Sequence, residues 1–298
     1  MTRTAAVVGA GTIARMHLAP IAALADVELV GVCDTDAPRA AEAAATYGTQ
    51  AFTDRRTLLA EARPDVVHLC LPHDQHLPVA LDALAAGAHV LTEKPLAPTL
   101  LDAQRFHDAA QQAAARGQQV GVCYQNRYND TSLALRQALE SGSYGRPLGA
   151  RASVWWHRDA RYYRAAPWRG RWETAGGGTL INQAIHTLDL LLWLLGDATS
   201  VAGWAAHADP ETAAAGVEIE DTAHVTLTHT SGVTSALVAT NRHWTDAPVM
   251  LEVGTEQGLL RLADGALHHH RPEGRSSCWR RTGPPTAARA TGAPRTVG

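Results

Sequence analysis

The chain has no apolar run approaching the roughly 18 residues of a membrane-spanning helix, so no transmembrane segment is read in it. It also lacks the opening of a secreted protein. "MTRTAAVVGAGTIARMH" enters an apolar, strand-like run at once, without the charged region, apolar core and small-residue cleavage site of a signal peptide. Cysteine is sparse: there are 4 in 298 residues, with no CxxC and no metal-ligand spacing. Cys33, Cys70 and Cys123 fall near the ends of buried-strand patterns, where small core filling in a reducing compartment is the expected role. A cytoplasmic protein without a metal centre is the resulting expectation. An excess of one charge is missing too. The 26 basic and 29 acidic residues give a net charge of -3, which offers no global attraction to nucleic acid or anionic membranes. Internal repeats are not evident.

What is present divides in two, as the length suggests, because 298 residues can bury a core in each of two domains. From residue 5 to 124, short β-branched runs alternate with Ala-rich helical stretches, the pattern of βαβ units and a doubly wound parallel sheet. Strands are read at 5–10, 27–34, near 50–53, 65–72, 89–94 and 118–124, most of them apolar throughout, as strands covered on both faces should be. After about residue 125 a helix near 130–141 is followed by the stretch 146–158, an irregular aromatic segment, a glycine-led helix and four or five strands. The later strands, such as "DTAHVTLTH" and "VTSALVATNRH", alternate, which suits an open, mostly antiparallel sheet with one wet face. The expectation is an α/β dinucleotide-type domain over 1–124, an α+β domain over 125–279, and a disordered Gly, Pro, Thr and Arg-rich tail over 280–298. "HHH" at 268–270 sits on a strand end, where alternate residues point opposite ways, and is read as solvent-exposed rather than as a metal site.

The first chemical signal is "VVGAGTIA", which gives Gly9-x-Gly11-x-x-Ala14 between a strand and a helix, the dinucleotide fingerprint. Gly9 permits the tight turn, Gly11 leaves room for a pyrophosphate, Ala14 lets the helix lie close, and the helix N-terminus supplies N–H donors to the anion. The second strand ends at Asp34, where a carboxylate can accept both adenosine ribose hydroxyls. With Asp36 beside it, a 2′-phosphate would meet two negative charges, so NAD is favoured over NADP. Ligands of open parallel sheets bind beyond the carboxyl ends of the strands. The cofactor set is therefore Gly9, Gly11, Thr12, Ile13 and Asp34, with Pro72, His76, Glu93 and Lys94 from the ends of the fourth and fifth strands.

A second signal is "GGGTLINQAIHTLDLLLWLLG", where Asn182, His186 and Asp189 interrupt an apolar run. Helical spacings of four and three put them on one stripe. With "EKP" at 93–95 and "GAGTIA", this glycine-led segment resembles the Gfo/Idh/MocA family of nicotinamide-dependent sugar and cyclitol oxidoreductases, over about residues 5–260. "CYQNRYN" and "IEDTAHVTL" are similar to family segments as well. The resemblance implies a Rossmann domain followed by a domain with a large open sheet. It implies that Lys94, Asn182 and His186 face the reacting carbon. A histidine suits the hydroxyl proton of an alcohol that gives up a hydride, and a lysine cation suits the developing alkoxide. Many relatives carry Asp where this chain has Asn182, which shifts proton transfer onto His186. Asp189 is read as fixing His186 or capping a neighbour. The three glycines are expected to bring backbone close to substrate.

The segment "WWHRDARYYRAAPWRGRW" combines aromatic faces, which stack on sugar rings, with guanidinium forks that bind carboxylate or phosphate. Tyr163, Trp168 and Arg169, together with Arg127, Lys94, Asn182 and His186, form the expected substrate set, a subunit interface being the competing role for the aromatic cluster. The polar C-terminus lacks the closing strand and helices that the resemblance implies. A homo-oligomer, dimer or tetramer, covering the open sheet is therefore expected. The leading reading is an NAD-dependent dehydrogenase acting on a CH–OH group of a sugar, cyclitol or derivative. An NAD-retaining glycosidase working by transient oxidation, and a non-catalytic cofactor or sugar sensor, stand as alternatives.

Overall fold

The computed structural model describes residues 2–271 and 276–280. Of the tail expected over 280–298, Arg280 ends a strand instead, and 281–298 lie outside the described residues. The first half runs β1 (Arg3–Val8), α1 (Arg15–Ala23), β2 (Val27–Cys33), α2 (Ala37–Tyr47), β3 (Ala51–Phe52), α3 (Arg55–Ala62), β4 (Val66–Leu69), α4 (His76–Ala85), β5 (His89–Thr92), α5 (Leu100–Ala114) and β6 (Val120–Val122). All six strands are parallel, in the order β3-β2-β1-β4-β5-β6. This is the doubly wound arrangement, in which the strand order reverses beside β1 and opens a crevice at the carboxyl ends of β1 and β4.

Local chemistry sets the helix ends. Asp36 accepts from Arg39 N at 3.1 Å to start α2, which stops at Gly48 in the left-handed region. Thr99 accepts from Asp102 N at 3.1 Å to start α5. Helices cover both faces of the sheet. Val8, Val67, Leu69, Leu84 and Phe106 fill one side, and Val7, Ala14, Leu18, Ile21 and Val32 the other. Ala14 is buried against the sheet, as the fingerprint requires.

The second half runs α6 (Asp130–Glu140), β7 (Pro147–Trp155), α7 (Ala160–Arg164), α8 (Trp172–Ala175), α9 (Ile185–Leu195), β8 (Ala198–Ala206), α10 (Pro210–Ala214), β9 (Thr222–His229), β10 (Thr234–Thr240), β11 (Met250–Thr255), β12 (Gly258–Ala263), β13 (Ala266–His270) and β14 (Ser276–Arg280). Its strands form one sheet in the order β14-β13-β12-β11-β7-β10-β9-β8, antiparallel except where β7 lies parallel to β10. Seven strands follow the glycine-led helix instead of four or five. The later strands pair as short hairpins, β11 with β12 and β13 with β14, and carry little alternation of their own.

One face of this sheet packs on α9, where Leu190, Leu191 and Leu195 meet Ala152, Val154, Leu237 and Leu251. The opposite face is open, and β9 and β10 alternate buried and exposed residues along their length. The histidine run divides the same way: His270 is exposed, whereas His269 turns inward and stacks edge-on with Tyr144 at 4.4 Å. Its burial departs from the exposed reading, because the odd member of the run falls on the helix-covered face. No helix among the described residues is long and apolar enough to cross a membrane.

Candidate active site

A cleft of about 1340 Å³ runs along the carboxyl ends of the parallel strands. Gly9, Gly11, Thr12, Ile13, Asp34, Pro72, Glu93, Lys94, Trp168, Arg169 and Asn182 all line it. Gly9 has φ +94°, and a Cβ there would lie 2.2 Å from the Cys70 carbonyl oxygen, so only glycine fits against β4. A Cβ on Gly11 would meet nothing within 4 Å and would project into open space, which is room left for a ligand against the backbone. The start of α1 carries no side-chain cap. An uncapped helix start behind an open glycine turn, with a carboxylate at the end of β2, fits a dinucleotide.

Asp34 also has structural work. Its Oδ2 accepts from Ala10 N at 2.8 Å and its Oδ1 from Asp36 N at 2.9 Å. Arg39 folds back over both acids, 3.3 Å from Asp34 and 2.9 Å from Asp36. The two negative charges read from the sequence as a barrier to a 2′-phosphate thus have a cation between them. His76 does not line the cleft. It is fully buried, with Nδ1 2.7 Å from the Pro95 carbonyl and Nε2 3.0 Å from the Leu71 carbonyl, and so braces the loops that follow β4 and β5.

The reactive end of the cleft is built where the two sheets meet. Lys94 Nζ donates to the Asn182 backbone carbonyl at 2.9 Å and lies 3.5 Å from Asn182 Oδ1. The carbonyl is available because the expected regular helix begins as a wider π-wound turn over Thr179–Ala184, becoming α-helical only at Ile185. Burial lowers the pKa of Lys94, Glu93 raises it and Arg169 lowers it, with a net decrease. His186 is pushed down to about 4 by burial and by the charge of Lys94, against the opposing charge of Glu93. It is therefore a neutral imidazole at pH 7, and its Nδ1 is buried without a hydrogen-bond partner. His186 is not among the residues that line the cleft, and its Nε2 lies 3.5 Å from Gln125 Nε2.

The glycines in front of this turn approach protein backbone rather than substrate. A Cβ on Gly176 would lie 2.1 Å from the Pro98 carbonyl, and one on Gly178 would lie 1.8 Å from the Glu220 carbonyl. Buried Glu220 then caps the turn, accepting from Gly178 N at 2.7 Å and Leu180 N at 3.0 Å. Sequence reasoning missed this cap, although Glu220 stands inside the quoted "IEDTAHVTL". Asp189 does not touch His186. Its carboxylate takes the Arg127 guanidinium through two hydrogen bonds of 2.8 and 2.5 Å, and Arg127 also lies over the Tyr124 ring. Arg127 is thus committed to a buried acid and is absent from the cleft lining.

The aromatic segment divides similarly. Trp168 meets His73 edge-on at 4.8 Å, and Arg169 lies over Tyr162 at 4.5 Å and Trp168 at 5.8 Å. Tyr163 turns away into a small core with Val217 and Ile219, its hydroxyl accepting from Asn241 at 3.3 Å. The helical step of one residue sends its neighbour Tyr162 to the cleft instead.

A glycine-turn cleft on a Rossmann sheet, joined to an open-sheet unit that supplies a neutral histidine and holds a lysine, is the arrangement of a nicotinamide-dependent oxidoreductase. Residues 3–122 match the model of an oxidoreductase family with an NAD-binding Rossmann fold, and residues 132–261 match the GFO/IDH/MocA C-terminal domain. The chain belongs to the Gfo/Idh/MocA oxidoreductase family.

It is 30% identical over 264 residues to inositol 2-dehydrogenase 2 of Paenarthrobacter aurescens strain TC1, covering 88% of this chain and 75% of that one. It is 32% identical over 200 residues to inositol 2-dehydrogenase of Salmonella typhimurium strain LT2, covering 66% of this chain and 56% of the relative. The match thus spans little more than half of the Salmonella protein. Among solved structures, the WlbA dehydrogenase of Bordetella pertussis, in complex with NADH and UDP-GlcNAcA, is 32% identical with a TM-score of 0.82, covering 88% of this chain and 78% of that one. A levoglucosan dehydrogenase in complex with NADH has the same fold, with a TM-score of 0.84 at 21% identity over 94% of this chain and 80% of that one.

One further signal was legible in the sequence. Of the 26 basic residues, Lys94 is the only lysine. A chain that otherwise uses arginine throughout has an amine at this one position.

Proposed function

We propose that the protein transfers a hydride between NAD and a secondary alcohol or ketone of a sugar, cyclitol or sugar derivative. The observation that carries this reading is the hydrogen bond from the sole lysine to the Asn182 carbonyl at the inner end of the dinucleotide cleft. Residues 1–124 hold the cofactor, with Gly9, Gly11, Thr12, Ile13 and Asp34 along it and Pro72, Glu93 and Lys94 at its inner end. Residues 125–279 supply the substrate wall and the assembly surface. When bound, the nicotinamide ring accepts or returns the hydride.

The protein's own part is proton and charge handling. Neutral His186 takes the hydroxyl proton, and the Lys94 ammonium stabilises the negative charge that develops on the same oxygen. Asn182 fixes Lys94 and orients the substrate, having no proton to exchange. The names of the relatives, dehydrogenases acting on inositol, support hydride transfer over the elimination and sensor readings. An anionic substituent on the substrate is favoured. Arg169 lines the cleft, stacked on Tyr162, with no carboxylate in salt-bridge reach among the described residues, and the Bordetella relative has UDP-GlcNAcA bound.

The test is NADH formation with NAD and a panel of cyclitols, neutral sugars, sugar acids and nucleotide-linked sugar acids. Substrate-dependent NADH from at least one of them is expected, and acids are expected to lose preference in Arg169→Ala. NADH formation from none, or product release without net NADH, overturns the reading. Assembly through the open face of the second sheet belongs to the same proposal, because Trp155, Trp204 and Val238 are exposed there. A strictly monomeric species in sedimentation at micromolar concentration would remove it.

A further inference from the structure

Beneath the lysine lies a line of polar groups that the proposed reaction does not use. His17, the third residue of α1, is buried beside Leu18 in the stretch "RMHLAPIAA". Its Nε2 is 3.0 Å from Glu93 Oε1, and its Nδ1 is 3.0 Å from His68 Nδ1 on β4. The second oxygen of Glu93 accepts from the backbone N of Lys94 at 3.3 Å. One proton arrangement satisfies every partner. His68 Nδ1–H donates to His17 Nδ1, His17 Nε2–H donates to Glu93, and Glu93 accepts from Lys94 N–H. Cys123 completes the cluster, with ligand-type atoms of the three residues within 4.8 Å of one another. Its thiol is pushed up to about 12 by burial and then by the charge of Glu93, so it stays protonated and adds no charge. His17 and Glu93 already satisfy each other, which accounts for the cluster without a cation.

We propose that His17 is a positioning residue: by clamping Glu93 under the loop that carries Lys94, it keeps a carboxylate beside the lysine and ties that loop to the helix behind the dinucleotide-binding turn. The inference rests on Lys94 acting as a cation in the proposed reaction. Burial works against that charge. The groups facing Lys94 from the neighbouring elements bring no negative charge: Arg169 is a cation, His73 and His186 are held neutral at pH 7 by burial, and Asn182 is a neutral amide whose oxygens accept from Nζ. His76, also lowered by burial, lies behind the loop. Glu93 is the charge that raises the lysine's proton affinity. Burial raises its own carboxyl, but the hydrogen bond from His17 and the neighbouring Lys94 outweigh it and hold the carboxyl below the usual range.

The single lysine makes this measurable without knowing the substrate. Biosynthetic labelling with lysine enriched in 13C at Cε gives one side-chain signal, whose pH titration reports Lys94 directly in the full chain, with and without saturating NADH. Glu93→Gln is expected to lower the titration midpoint by about one pH unit or more, the scale of one neighbouring charge. His17→Leu is expected to lower it in the same direction by about half a unit or more, through Glu93 moving away. His17→Gln, whose amide can still donate to Glu93, should restore the midpoint. In Glu93→Gln, adding His17→Leu should cause no further shift, because His17 acts only through the carboxylate. A merely structural role for His17 would leave the midpoint untouched. If His17→Leu fails to fold, the near-isosteric Glu93→Gln and the shorter His17→Asn decide. A wild-type midpoint in both overturns the proposal, and a lowered one in both supports it. Because no turnover is read, failure here leaves the oxidoreductase reading to its own substrate test, and the reverse holds too.

Discussion

Cofactor choice turns on a contact that the structure changes from its simplest reading. Asp34 is only 9% exposed at its side chain, while Arg39, which neutralises it across 3.3 Å, is 50% exposed. A 2′-phosphate on the ribose would stand about 4 Å from the carboxylate, where a pair of unit charges repels by about 1 kcal/mol in water and about 4 kcal/mol at a protein surface. The exposed guanidinium cancels part of this, leaving about 2 kcal/mol against NADPH, or roughly thirtyfold in affinity. Asp34→Ser removes that repulsion and keeps a hydroxyl that can accept from Ala10 N, so the glycine turn is retained. It also frees Arg39 to pair with the phosphate. NADPH is therefore expected to bind about thirtyfold more tightly. NADH loses a charged hydrogen bond to its ribose, about 1.5–3 kcal/mol, and is expected to bind tenfold to a hundredfold more weakly. Fluorescence titration with both reduced cofactors reads the two changes. Adding Arg39→Ala should abolish the gain for NADPH. An unchanged NADPH affinity in a well-folded Asp34→Ser protein would refute the electrostatic reasoning.

Lys94→Ala and His186→Ala should each lower kcat by about 10² or more, with a combined loss well below the product, since both act on one oxygen. Steady-state rates over pH check the roles further. Activity should be lost as pH falls toward about 4, where His186 gains a proton, and as pH rises through a lysine value below the usual 10.5. Folding stability should follow the buried histidines. His68 and His186 sit at about 4 and His73 at about 3, each because burial disfavours its charged form, against 6.5 when exposed. Their folded values are depressed, so the unfolded chain binds the extra protons. Stability is full above 6.5 and falls as pH drops through the folded values. A Tm unchanged between about pH 7 and 4.5 would contradict this. Arg127→Ala should destabilise the fold by about 2 kcal/mol by leaving buried Asp189 unpaired, the low end of such losses because Arg127 is 38% exposed at its side chain. Denaturant unfolding measures that loss, and NADH affinity should stay within about threefold of the parent, since neither residue lines the cleft.

Local rules were enough for the strand and helix order of the first half, because parallel strands and their covering helices carry their periods in the chain itself. They were enough for Gly9, Gly11 and Asp34, because a tight turn and a strand end are local events. Lys94 was marked by "EKP" and, more simply, by being the only lysine. What the chain alone left undecided are choices between residues of like chemistry. Whether Tyr162 or Tyr163 faces the cleft depends on the phase of a five-residue helix, set by packing on Val217 and Ile219. Arg127 and Arg169 are equivalent as letters, yet one is tied to Asp189, 62 residues away, and the other stands free in the cleft. The π-wound turn that offers a carbonyl to Lys94 forms because Gly178 can press against Glu220, in the loop before β9, 42 residues further on. The His68–His17–Glu93 line joins β4, α1 and the end of β5, and no local pattern in any of them requires the others. Spacing along a chain specifies turns and faces. Which partner meets each polar group is decided only when distant segments are brought into contact, where burial makes an unmatched group costly.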